Sequence, residues 1–276
     1  MDNQKKIYSI ILVYLSSKIN IMRNLIIFGL FVIALILVQF AQAQTVDEVI
    51  TKYTEARGGK DKLLSIKSIY MEGTRQMMGN EILVKVTKEQ GKLSRTDFEV
   101  AGVNNFFLVT DKEGWNYFAM RMQAPEPLPA DRLKQMQTEL DIAGPLVDYT
   151  AKGYKAELIG KEDVEGTDCY KIKLTVDTSH IISYFIDSKS YLLIRSAQKG
   201  GGMGGGRRGG GGGSVDTEVF TDYSDFKPVD GILFAHTLTI KTPSGANAGQ
   251  GGGTNSSTFD KIELNQPVDP KLYKHQ

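Results

Sequence analysis

Tyr170-Lys171-Ile172-Lys173-Leu174-Thr175-Val176 puts Tyr170, Ile172, Leu174 and Val176 on one side of an extended chain and Lys171, Lys173 and Thr175 on the other. A period of two is the pattern of a half-buried strand. The runs Ile182-Ser183-Tyr184-Phe185-Ile186, Tyr191-Leu192-Leu193-Ile194-Arg195, Val219 to Tyr223 and Ile232 to Ile240 continue it. Turn formers separate them: Glu165-Gly166, Asp187-Ser188-Lys189-Ser190 and Pro228-Val229-Asp230-Gly231. Links this short join antiparallel neighbours, because parallel strands need a crossover of about a dozen residues or more. Working outward, Ser68 to Thr74, Ile82 to Val86, Leu93 to Val100, Asn105 to Thr110, Gly114 to Met120 and Ser257 to Leu264 read as further strands. The expectation is a mainly β (α+β) chain built on an antiparallel sheet of about 11–12 strands.

Two helical stretches interrupt this pattern. In Thr45 to Gly59, Val46, Val49, Ile50 and Tyr53 follow helical spacing, Thr45 with Glu48 fits a capping box, and Gly58-Gly59 ends the helix. The second is an insertion at 129–150. Ala124 to Pro129 is too proline-rich for a central strand. In Ala130 to Asp141 that follows, Leu133, Met136 and Leu140 mark an apolar stripe, and Gly144-Pro145 stops the helix. A helix placed between two sets of strands must bury its stripe against a sheet face, so this insertion is a candidate lid or plug.

The N-terminus carries a different signal. Met22-Arg23-Asn24 is a short positive region, Leu25 to Val38 is almost unbroken apolar sequence, and Ala41-Gln42-Ala43 has small residues where a signal peptidase reads. An apolar core of about 14 residues is short for a membrane span, which needs about 20. Residues 1–43 are therefore expected to be a signal peptide cleaved after Ala43, with Met22 as a candidate start, and 44–276 a single exported domain in the periplasm. Cleavage there exposes no cysteine, so the chain is not expected to be a lipoprotein. With 1–43 set aside, the remaining chain has 29 basic and 31 acidic side chains. That balance argues against a nucleic-acid footprint, which needs a clustered basic surface.

Residue chemistry excludes more than it assigns. Cys169, the one cysteine, falls on the Lys171/Lys173 side of its strand and reads as a small structural residue. His180, His236 and His275 are scattered, with no metal-ligand spacing, so no metal and no cofactor is expected. His236 shares a side with Ile232, Phe234 and Leu238 and reads as a core or cavity-rim histidine. No Gly-x-Ser-x-Gly elbow occurs, and Asp222, Asp225 and Asp230 flank turns, so no catalytic residue is assigned. Gly200 to Gly213 holds eleven glycines around Met203, Arg207 and Arg208, and 244–253 repeats the style. A strand follows the first tract where a phosphate loop would open a helix, so both read as flexible hairpin tips.

Ala56-Arg57-Gly58-Gly59 before Ile66-Lys67-Ser68-Ile69, Leu158 to Ile172 with its Glu165-Gly166 turn, Phe185-Ile186-Asp187-Ser188, Asp222-Tyr223 and Val229-Asp230-Gly231-Ile232 together resemble the outer-membrane lipoprotein carrier and sorting superfamily, the LolA/LolB-like proteins. The resemblance spans most of residues 45–273. It implies a strongly curved antiparallel sheet, an unclosed β-barrel, with helices 45–59 and 130–141 covering its concave face. It also implies an apolar cavity between sheet and helices that takes acyl chains. Met and aromatic side chains suit a pocket for irregular hydrocarbon. The expected lining is Phe107, Trp115, Tyr117, Leu133, Met136, Leu140, Tyr170, Ile172, Tyr184 and Phe234. The expectation is a non-enzymatic, monomeric envelope carrier for a lipid or acylated lipoprotein. An envelope-assembly interaction module with a filled core, meeting envelope proteins or the membrane surface, is the alternative. A hydrolase on the same sheet would demand a polar cleft of clustered His and carboxylate.

Overall fold

The structure, a computed structural model, describes residues 44–275 apart from 78, 121, 200–217 and 243–252. The expected signal peptide, the glycine tract 200–213 and nearly all of 244–253 lie outside the described residues.

Helices α1 (Val46–Ala56) and α2 (Lys60–Leu64) lead into strands β1 (Ser68–Met77), β2 (Asn80–Glu89), β3 (Leu93–Val100), β4 (Val103–Thr110), β5 (Gly114–Tyr117) and β6 (Glu126–Pro127). Helix α3 (Ala130–Met136) and a 3-10 turn (Gln137–Leu140) follow. Then come β7 (Lys155–Val164), β8 (Thr167–Thr175), β9 (Ile181–Asp187), β10 (Leu193–Lys199), β11 (Glu218–Val229), β12 (Ile232–Thr242) and β13 (Gly253–Leu264). These thirteen strands form one sheet in the order β6-β5-β4-β3-β2-β1-β13-β12-β11-β10-β9-β8-β7, antiparallel throughout. Two meanders therefore meet where β1 pairs with β13. The sheet's edges, β6 and β7, are consecutive in sequence and unpaired with each other, so the barrel is unclosed.

The strand beyond the expected number is β6, and its Pro127 fits an edge, where a missing N–H costs no ladder bond. β5 is shorter than the run to Met120 expected. Ala119 N donates to Asn105 Oδ1 at 2.8 Å and Met122 N to Phe118 O at 2.9 Å, which turns the chain out of the ladder. The insertion helix is α-helical only to Met136 and tightens to 3-10 through Leu140. Two-residue turns fix register at Ala101-Gly102, Glu165-Gly166 and Asp230-Gly231. In each, both residues sit at positive φ, the type I′ geometry that matches strand twist.

Alternation sorts the sheet into two faces. The inner face carries Ile69, Val84, Phe98, Ile172, Leu174, Tyr184, Ile186 and Ile262, which share one buried cluster with Val49, Ile50 and Tyr53 of α1 and with Leu146 and Val147 after α3. Strands from both halves of the order contribute to it, so the sheet curls around these helical segments. α1 is tied at both flanks. Its Gly58 approaches the β11–β12 turn so closely that a Cβ would stand 2.5 Å from Gly231 O, and Leu233 N donates to Arg57 O at 2.9 Å. Arg57 Nη1 donates to Ala143 O at 2.7 Å, joining α1 to the insertion.

Candidate functional site

The register defines two ends of the sheet. One carries the β1–β2, β3–β4 and β8–β9 links and is called here the hairpin-tip end. At the opposite end α2 enters β1 and α1 docks on the β11–β12 turn, and there the inner face is packed solid. Val49 and Val147 are fully buried and Leu63 and Ile66 nearly so.

Toward the hairpin-tip end the inner face is apolar and less covered. Phe98 is stacked on Phe107 with ring centroids 5.7 Å apart and on Phe118 at 6.2 Å. Phe107 and Phe118 are only partly buried, as are Met71, Ile82, Val100 and Leu238 around the main cluster. Asn105 braces this patch: its Nδ2 donates to Val103 O at 2.8 Å while its Oδ1 holds Ala119. Offset aromatic contacts of this kind add to the gain from burial and still leave ring faces for a ligand chain.

The ten expected lining residues do not come together. Phe107, Tyr170, Ile172, Tyr184 and Phe234 lie on the inner face, in or against the main cluster. Leu133, Met136 and Leu140 form a separate cluster with Val109 and Leu128, under the insertion. Trp115 and Tyr117 are on the opposite face, packed with Leu93, Phe106 and Leu108 beneath Val268, Leu272 and Tyr273 of the C-terminal segment. The pairings Thr96↔Phe107 and Leu108↔Trp115 show why: Phe107 and Leu108 are adjacent and point to opposite faces. Sequence proximity of the aromatics hid this alternation. Phe98, Ile82 and Leu238 are outside the expected lining, although Phe98 falls in phase with Val100 along β3, a signal the sequence carries.

Among the described residues, clefts open on the outer face. One of about 350 Å³ is lined by Glu165, Arg195, Asp222 and Lys241. There Arg195 pairs with Asp222, and Lys241 lies 2.7 Å from both Asp222 and Glu165. Burial alone would raise the Asp222 carboxyl; Arg195 and Lys241 outweigh it and hold the group below its ordinary value. The four charges satisfy one another, which is a structural arrangement. A second cleft, about 300 Å³, runs between Tyr70, Thr87 and Glu263 and the C-terminal residues Val268 and Leu272. Neither cleft lies between the sheet and α1.

Cys169 is fully buried on the outer face with Val164, Phe185 and Ala197, and burial pushes its thiol up to about 11, so it is inert. His236 is buried on the inner face, with Nδ1 at 2.6 Å from Phe259 O; its Nε2 is buried without a partner among the described residues. His180 Nε2 meets Gln198 Oε1 at 3.2 Å. Among the described residues no three His, Cys, Asp or Glu side chains gather as metal ligands would. No helix among them is long and apolar enough to cross a membrane.

An unclosed antiparallel barrel with helices packed on its inner face is the class this architecture defines. No protein-family model matches the chain, and no curated protein sequence matches it. Among solved structures it is similar to a LolA superfamily protein from Nitrosomonas europaea, at 16% identity and TM-score 0.52, covering 84% of this chain and 99% of that one. It is also similar to a DUF1329 family protein from Desulfovibrio piger, at 14% identity and TM-score 0.53, covering 84% and 98%. A domain from Vibrio parahaemolyticus named for outer-membrane lipoprotein sorting matches at 12% identity and TM-score 0.50, covering 82% and 94%. The chain has the LolA-like fold.

Proposed function

We propose that this chain is a periplasmic, non-enzymatic protein that holds an acylated ligand, a lipid or an acylated lipoprotein, against the inner face of its unclosed sheet. The observation that carries the reading is the aromatic patch in which partly exposed Phe107 and Phe118 stack on buried Phe98, bordered by Met71, Ile82, Val100 and Leu238. An apolar surface held on a rigid concave sheet is what a hydrocarbon chain needs: area to cover and no polar group left without a partner. The insertion, anchored at Ala143 by Arg57, is the natural lid. A fold shared with a domain named for lipoprotein sorting supports the same reading.

One observation favours the alternative, an interaction module of envelope assembly: α1 and the insertion fill the other end of the inner face. Native mass spectrometry of the protein from an envelope fraction, followed by organic extraction, separates the two. A bound lipid or acyl-peptide released on denaturation is the result expected of a carrier. A bare protein that also takes up no fluorescent fatty acid, and brings a protein partner with it, favours the module.

A further inference from the structure

Along β1 the inner face reads Ile69, Met71, Gly73, Arg75, so a charge stands in phase with apolar positions. The pairings on either side extend this into a row across the inner face: Ile82, Arg75, Ser257, Leu238 and Tyr223. Arg75 is partly buried there. Its Nε donates to Ser257 Oγ at 2.8 Å, and Ser257 is itself buried. Among the described residues no carboxylate pairs with Arg75, whereas Arg95 has Asp97 and Arg195 has Asp222. Burial without a counter-charge pulls the guanidinium below its ordinary value. A partly buried cation lacking its anion carries a desolvation cost, and a guanidinium with one N–H engaged still presents a fork of donors suited to a carboxylate or phosphate.

We infer that Arg75, with Ser257, recognises the anionic head of an amphiphile whose hydrocarbon chain lies on the Phe98–Phe107–Phe118 patch. The inference rests on the acyl-binding reading and adds its ligand chemistry: one anionic oxygen group, carboxylate or phosphate, at the end of an acyl chain. Ser257 positions the guanidinium. From Arg75 the apolar surface runs through Ile82 to Val100 and the stacked rings, so head and chain have adjoining ground. His236 lies on the same face, across β13 from Gly73, two residues along from the Arg75 row, and faces the Phe259 carbonyl.

The test uses the full chain and two fluorescent probes, a polyene fatty acid and its methyl ester, with dodecyl phosphate and acetate as competitors. Wild type is expected to bind the acid about tenfold more tightly than the ester, the worth of one charge-assisted contact. Arg75→Met is expected to lose that preference while binding the ester as wild type does, and Arg75→Lys to keep part of it. Dodecyl phosphate displacing the acid as well as a fatty acid does assigns the site to either anion; no displacement assigns it to carboxylates. Acetate, lacking the chain, should not compete, and displacement by acetate overturns the link between head and patch. Equal binding of acid and ester by wild type overturns the role of Arg75 and leaves the acyl-binding reading standing. Binding of neither probe overturns both. If Arg75→Met fails to fold by circular dichroism, the wild-type preference for acid over ester still decides the matter.

Discussion

Lys134 Nζ lies 3.0 Å from Asp177 Oδ2, so a side chain of α3, which follows one edge strand of the sheet, reaches the β8–β9 turn beside the other edge. Asp177 also accepts from Ser179 N at 2.8 Å and His180 N at 2.9 Å, which makes the turn a fixed anchor for the insertion.

Lys134→Ala should therefore loosen the insertion without unfolding the sheet. Amide exchange over residues 137–150 is expected to speed up, with Lys134→Arg close to wild type; unchanged exchange in Lys134→Ala would remove the anchor from the account. Lys134 and the Ser179 contacts hold the Asp177 carboxyl well below its ordinary range. A depressed folded value means the anchor is at full strength above about pH 4, the unfolded value, and is lost as pH falls through the folded one. The difference between wild type and Lys134→Ala should shrink on acidification.

Gly73→Ala tests the junction of the two meanders. An added Cβ would stand 1.9 Å from Thr258 O and 2.6 Å from Phe259 Cα, both backbone, beside the irregularity where β13 gains a residue on β1. Backbone cannot move aside as a side chain can, so a loss of about 3 kcal/mol or failure to fold is expected. Gly91→Ala, at φ +70 with nothing within 4 Å, should cost only about 1–2 kcal/mol of backbone strain. Thermal unfolding that ranks the two equally would contradict the register.

The outer face offers a built-in probe, because the chain has one tryptophan. Trp115 stacks on His275 with centroids 3.8 Å apart, and Arg95 Nη1 donates to Leu272 O and Lys274 O at 3.2 and 2.7 Å. Removing residues 270–276 should red-shift Trp115 emission and cost about 2 kcal/mol or more, through exposure of Phe106 and its neighbours. Unaltered emission would mean that the C-terminal segment does not cover this face.

Asp222→Asn should destabilise the protein by about 1 kcal/mol at pH 7, since it breaks a network that is partly solvent-exposed. Asp222 has a depressed folded value, so its stabilisation is present above about pH 4 and disappears below. Urea midpoints of wild type and variant should converge near pH 3; a constant gap would locate the effect in packing.

Much of this was legible in the chain, and the rest was hidden for identifiable reasons. Alternation in Tyr170 to Thr175 placed β8 and its faces correctly, because a half-buried strand repeats every second residue. Gly58 and the Asp230-Gly231 turn were read as separate signals; that they touch is a tertiary fact no local pattern contains. Trp115 and Tyr117 were expected beside Phe107 because they are near it in sequence, but a β4–β5 hairpin assigns faces by parity. Arg75 carries a legible signal of its own, a charge in phase with Ile69 and Met71.

The central claim is that acyl chains lie on the inner face at the hairpin-tip end, and the parity of β4 and β5 gives it a direct test. A fluorescent fatty acid is titrated into wild type, Phe107→Asp and Tyr117→Asp, each checked for folding. The account predicts that Phe107→Asp abolishes uptake while Tyr117→Asp, on the outer face, leaves it near wild type. Retained uptake in Phe107→Asp, or loss confined to Tyr117→Asp, would contradict it.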